Sequence, residues 1–282
     1  MLFFPALILG LSSTLTAGAV SQWQPLAPGA DLRILVVGGR GSESASRITV
    51  VRFDPDLWQL EFAGISKTGE PAGQTAREWC ESRKLAAAIN AGMYDADYAT
   101  HVGYLRFREH VNSGRVNGYQ SVAAFDPVGG GGVAPFRLFD LDEPGVTMQG
   151  IRKDYASAVQ NLRLIKRPGA NKWMPQDKRW SEAALGEDNA GRILFIFSPS
   201  PLSMRELNQA LLAGGIGLVA AQHLEGGSEA QLYVRVGETE LELFGSHDAS
   251  VEADDTGAGA YPIPNVLGIR QRSSASGKRS AR

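Results

Sequence analysis

Two apolar runs flank one capped helix in the last third of the chain, and this arrangement limits the ways the backbone can pair. Arg192-Ile-Leu-Phe-Ile-Phe-Ser198 has the pattern of a buried strand. Ser203-Met-Arg-Glu206 has the spacing of a capping box, in which serine and glutamate satisfy each other's free backbone N–H groups. Leu207, Ala210 and Leu211 then form an apolar stripe, Gly214-Gly215 supplies a stop, and Leu218-Val-Ala-Ala-Gln-His-Leu-Glu225 follows as a second strand. A strand, helix, strand unit crosses over right-handed and sets its two strands parallel. Glu225 then ends a buried strand at the edge where ligands collect in sheets with crossover helices.

The remainder of the chain fits the same scheme. RILVV, ITVVRFDP and LWQLEFAGI, between Leu32 and Ile65, read as an antiparallel meander. A second capping box, Thr75-Ala-Arg-Glu78, opens a helix expected to run to about Lys84, and Leu85 to Gly92 reads as a buried strand ending at Asn90. The expectation is a single α+β domain over residues 20–272: a mixed β-sheet with a strand-helix-strand crossover and two main covering helices. The hydrophobic content of 43% in 282 residues suits a chain that buries a substantial core. Gly129 to Gly132 reads as a mobile surface loop, since no helix signal follows to make it a phosphate cradle.

Residues 1–19 carry no charge and end in Ala17-Gly18-Ala19, which reads as a signal peptide, too short in its apolar part to span a bilayer comfortably. The single cysteine, Cys80, excludes an internal disulfide and lies on the apolar side of its helix, as a core residue would. Together these features point to a bacterial periplasmic or secreted protein with no stable membrane insertion after cleavage. A net charge of −2 gives no electrostatic footprint for nucleic acid. Residues 273–282 form a basic, serine-rich tail expected to be disordered.

No metal site is expected. His101, His110, His223 and His247 are scattered, Asp95/Asp97 and Asp254-Asp255 lack a calcium-loop register, and no GxSxG marks a nucleophilic serine. Carboxylates are the stronger candidates. Glu225 precedes Gly226, Gly227 and Ser228, whose backbone can approach a ligand closely. Glu182 could share its cleft as a second catalytic carboxylate, since glycoside hydrolysis needs two, or could instead pair with an arginine such as Arg163. Asn90 and Gln160 are placed to orient substrate hydroxyls. Tyr94 and Tyr119 could stack on a sugar or pack in the core, and Asn265 could face the cleft or turn the chain.

The order AINAGMY, AVQNLRLI, WSEAALGEDNAGRILFIF and SMRELNQALLAGGIGLVAAQHLEGGSEAQLYV resembles the phosphodiester glycosidase family, from about Asn90 to Gly268. The resemblance places Asn90, Gly92 and Tyr94 on the family's Asn-Gly-Gly-Phe-like segment and Asn161-Leu162-Arg163 on a Ser-Gly-Pro-like one. It puts Glu225 where the family has aspartate and Glu182 where it has arginine, so a cation suited to a phosphate is replaced by an anion, with Arg163 as the nearby compensating charge. The function implied is hydrolysis of a glycosidic bond, with a carbohydrate or sugar phosphate as the partner molecule and no cofactor. The alternative is a catalytically inactive module that binds glycan or cell-wall polymer in the same cleft.

Overall fold

The computed structural model describes residues 22–38, 46–129, 132–245 and 259–273. The apolar leader, residues 130–131 of the glycine run, His247, the Asp254-Asp255 pair and residues 274–282 lie outside the described residues.

The chain is built mainly of strands. β1 (Gln24–Ala27), β2 (Ala30–Val37), β3 (Ser46–Phe53) and β4 (Trp58–Gly64) come first. A short α1 (Ile65–Thr68) and α2 (Ala76–Arg83) lead to β5 (Ala87–Asn90), β6 (Leu105–Phe107), β7 (His110–Ser113), β8 (Ser121–Pro127) and β9 (Phe136–Asp140). After α3 (Met148–Asp154) come β10 (Tyr155–Asn161), β11 (Arg163–Lys166), β12 (Ala170–Asn171), β13 (Trp180–Asp188) and β14 (Ile193–Leu202). Then follow α4 (Met204–Ala213), β15 (Leu218–Gly226), a 3₁₀ turn at Gly227–Glu229, β16 (Gln231–Val236), β17 (Thr239–Phe244) and β18 (Asn265–Gln271).

Three sheets result. The largest has the order β1-β2-β3-β14-β13-β15-β11-β12, the second β7-β6-β10-β8-β9, and the third β17-β16-β5-β18-β4. Every pairing among the described strands is antiparallel. This overturns the expected α+β domain with a mixed sheet. The crossover from β14 through α4 to β15 does exist, but β13 lies between its two strands and bonds antiparallel to both. The meander is also divided, because β2 and β3 pair whereas β4 leaves to bond β18 in another sheet.

The packing explains why two covering helices were the wrong picture. One apolar cluster is fed by all three sheets: Phe53, Phe195 and Leu224 from the first, Phe107, Phe125 and Leu138 from the second, Ile89, Leu232 and Leu267 from the third. Alternation along each strand leaves the opposite face of each sheet to be buried separately. Three helices do this locally: α4 through Leu207 and Leu211, α2 through Trp79 and Cys80, α3 through Ile151. Sheets therefore cover sheets, and the helices close only the outer faces. Both capping boxes form as the sequence predicts, Thr75 with Glu78 and Ser203 with Glu206, each worth about 1 kcal/mol to its helix. No described helix is long and apolar enough to cross a membrane.

Candidate active site

The side chains with the chemistry lie where β13 begins beside the end of β15. The ladder pairs Glu182 with Gly226, Ala183 with Glu225 and Ala184 with His223, so Leu224 has no partner of its own. This bulge sets Leu224 and Glu225 together opposite Ala183, and such an extra residue re-aims the side chains around it. Glu182 and His223 are both buried, with Oε1 and Nδ1 2.5 Å apart. The other carboxylate oxygen, Oε2, accepts a hydrogen bond from Trp180 Nε1 at 2.7 Å. Burial alone would lower the pKa of His223, but the charge and hydrogen bond of Glu182 outweigh it and the pKa is raised. With Nδ1 committed to Glu182, Nε2 is the nitrogen through which His223 can act elsewhere.

Glu225 is in a different state. It is 8% exposed, and among the described residues it forms no ion pair; Oε1 accepts from the Gly226 N–H at 3.1 Å. Burial pushes its pKa up to about 7, the nearby charges of Glu229 and Glu182 add to this, and the Gly226 N–H and His223 oppose it. A carboxyl group near half-protonation at neutral pH can give or take a proton, as a general acid or base must.

The two glycines have distinct reasons to be there. A Cβ on Gly226 would lie 2.5 Å from Trp180 Cδ1, so the indole occupies the space that a side chain would need. Gly227 takes a positive φ of 71° with nothing near it, leaving open space at the turn that buries Ser228. A third glycine lies two residues beyond the end of β5. Gly92 has φ 144°, and a Cβ there would be 2.3 Å from both Asn161 Oδ1 and His101 Nε2. His101 Nδ1 accepts from Gly103 N at 3.0 Å, which leaves Nε2–H to donate to Asn161 Oδ1 at 3.2 Å. Asn161 Nδ2 then donates to Ala91 O at 3.1 Å, joining β10 to the end of β5. Tyr94, just beyond, packs edge-on against Tyr98 at 5.1 Å; burial, then the charges of Glu229 and Glu225, raise its pKa.

Most other sequence candidates are held in hydrogen bonds or ion pairs of the fold. Asn90 accepts from Gln231 N at 2.7 Å and donates to Glu229 O at 2.8 Å, tying β5 to the turn after Glu225. Gln160 clasps the 117–119 loop: Oε1 accepts from Asn117 N at 3.1 Å and Nε2 donates to Tyr119 O at 2.7 Å. Arg163 pairs with Asp140 at 3.2 Å and Asp142 at 2.7 Å, so it is not the partner of Glu182. Asn265 lies opposite Gly64 in the sheet with its buried carboxamide unpartnered. Sequence reasoning missed His223, Trp180 and the His101–Asn161 pair. A signal for the first was available, because Gln222, His223 and Glu225 interrupt an apolar central strand, and buried polar groups there need partners.

Among solved structures, the catalytic domain of zebrafish N-acetylglucosamine-1-phosphodiester alpha-N-acetylglucosaminidase, auto-inhibited by its pro-peptide, is similar with a TM-score of 0.62 at 11% identity, over 90% of this chain and 87% of that one. A Synechocystis protein is similar with a TM-score of 0.61 at 15% identity over 89% of this chain, which spans 64% of the Synechocystis protein's length. A Burkholderia pseudomallei protein described as exported gives 0.51 at 11% identity, over 83% of this chain and 75% of that one. At these identities the likeness is one of fold. No curated protein matches the sequence. The sequence profile of the phosphodiester glycosidases matches residues 83–270, which takes in Gly92, Asn161, Glu182, His223 and Glu225. Since that match spans more than half of the chain, the protein belongs to the phosphodiester glycosidase family.

Proposed function

We propose that the protein is an exported hydrolase that cleaves the bond between a sugar and a phosphodiester, with Glu225 as the proton-transferring group. The observation that carries this reading is a nearly buried carboxyl group, without an ion pair among the described residues and with its pKa near 7, beside an imidazole already oriented by a second carboxylate. In the reaction the anomeric C–O bond breaks, the oxygen leaves with the phosphate, and water adds to the anomeric carbon. Protonated Glu225 serves the departing oxygen, and its carboxylate form can take the proton of the incoming water. Protonated His223 supplies positive charge where the family pattern has an arginine, while Glu182 holds it as a positioning residue. Tyr94 and Trp180 offer ring faces to a sugar. Export is supported by the Burkholderia protein of the same fold.

A second reading has one observation in its favour. Glu182 is held by both Trp180 and His223, so one carboxylate rather than two is free to act, as in a glycan-binding module that has lost turnover. Purified protein and Glu225→Gln, assayed on aryl glycosides and sugar phosphodiesters, separate the two. Turnover that the variant loses supports the hydrolase. Sugar binding without turnover by either protein supports the module and overturns the hydrolase.

A further inference from the structure

On the outer face of the third sheet, away from β13 and β15, a pit of about 340 Å³ opens between β4, α1, the end of α2 and β18. Leu85, one of its lining residues, packs over Gly268, where a Cβ would lie 2.4 Å from Leu85 Cδ1. Ala63 and Leu85 form an apolar wall, and Lys67, Arg83 and Arg270 line the pit against a single carboxylate, Glu61. Three cations face one anion, and counting Glu70, which pairs with Arg83 at 2.6 Å, still leaves one positive charge in excess.

These cations are held in place with donors to spare. Arg270 is fixed by its bonds to Arg83 O at 2.8 Å and Lys84 O at 3.2 Å. Lys67 donates to Phe62 O at 3.1 Å, and an ammonium has three donors. Arg83 directs Nη2 to Glu70 at 2.6 Å, and a guanidinium carries five N–H donors. Glu61 Oε1 is already shared among Gln59 at 2.9 Å, Arg108 at 3.4 Å and Arg270 at 3.9 Å, so it cannot neutralise the cluster alone. Partial burial lowers the pKa of Lys67; Glu61 opposes this, and the charges of Arg108, Arg83 and Arg270 lower it further.

We propose that this pit is a second ligand site, separate from the candidate active site, that binds the doubly charged phosphate head of a small molecule. Fixed guanidinium forks match phosphate oxygens, and the apolar wall accommodates the remainder of an organic phosphate. The same chemistry would accept free inorganic phosphate.

The test is acetylation of lysines in the folded protein at constant ionic strength, read by mass spectrometry, with and without inorganic phosphate. Lys67 labelling is expected to slow several-fold and saturably, while exposed Lys172 and Lys178 are unaffected; in Arg83→Gln the protection is expected to disappear. A monosaccharide phosphate that protects at lower concentration than inorganic phosphate identifies an organic phosphate as the ligand, and equal protection identifies the free anion. Unchanged Lys67 labelling in the wild type, or protection that Arg83→Gln retains, overturns the proposal.

Discussion

Glu182 Oε1 and His223 Nδ1 lie 2.5 Å apart across the β13–β15 ladder, both buried, and the contact raises the His223 pKa while the neighbouring Glu225 makes no ion pair among the described residues. Three titratable groups within two adjacent strands thus divide their roles by environment. In the proposed reaction the paired carboxylate orients, the imidazole carries charge, and the unpaired carboxyl keeps a proton available near neutral pH.

Removing one member of a buried pair leaves the other uncompensated. Glu182→Gln is therefore expected to cost about 3–5 kcal/mol in denaturant unfolding. It should also lower the His223 pKa, because the charge and hydrogen bond of Glu182 are the main influences that raise it against burial, and Glu225 is left as the weaker one. NMR titration of the ring reads this directly, and an unmoved pKa would show that Glu182 does not hold the imidazole.

Gly92→Ala should be among the most damaging single methyl additions in the chain. The new carbon meets Asn161 Oδ1 and His101 Nε2 at 2.3 Å, from a φ of 144° that L-residues avoid. A loss on the order of 3 kcal/mol or more follows, with the His101–Asn161 hydrogen bond broken to make room. Urea unfolding tests it, and a loss under about 1 kcal/mol would mean the loop yields cheaply.

The suggestion that Arg163 compensates Glu182 has a clear consequence in the structure. Arg163 aligns with Gln222, which pairs with Leu185, three residues along β13 from Glu182, or about 10 Å at the rise of a strand. Arg163→Gln and Glu182→Gln should then add within about 0.5 kcal/mol. Arg163 should couple instead to Asp140 and Asp142, which a double-mutant cycle with Asp140→Asn would reveal.

What the sequence made legible was local and periodic. Capping boxes at Thr75 and Ser203 announce themselves by two residues at fixed spacing, and both helices start where that spacing puts them. Strand partners do not, because register depends on faces that meet only in the folded chain. WSEAALGED, rich in alanine and carboxylates, carries little β-propensity, yet it is the nine-residue β13, stabilised by a strand on each side. Missing it made the β14–α4–β15 unit look like a pair of parallel neighbours. Glu225 stood out through its glycines, whereas His223 was hidden because its partner lies 41 residues away.

The sharpest prediction concerns Glu225 and pH. Its folded pKa is raised from 4.5 to about 7, so the folded state holds the proton more tightly than the unfolded chain does. The stability this contributes is fully present below pH 4.5 and is lost as pH rises towards 7, about 3 kcal/mol across the window. His223, also raised, acts in the same sense but above 6.5, so the two windows adjoin. Glu225→Gln should flatten the lower window and leave most of the upper one, whose main support is Glu182 with Glu225 the weakest contributor, as thermal unfolding from pH 4 to 8 would show. If Glu225 is also the acid, kcat/KM on a sugar phosphodiester falls as pH passes about 7, and the variant loses roughly 10²–10⁴ in rate with that inflection gone. A flattened stability profile combined with an unchanged pH–rate profile would place Glu225 in the fold's electrostatics and outside the chemistry.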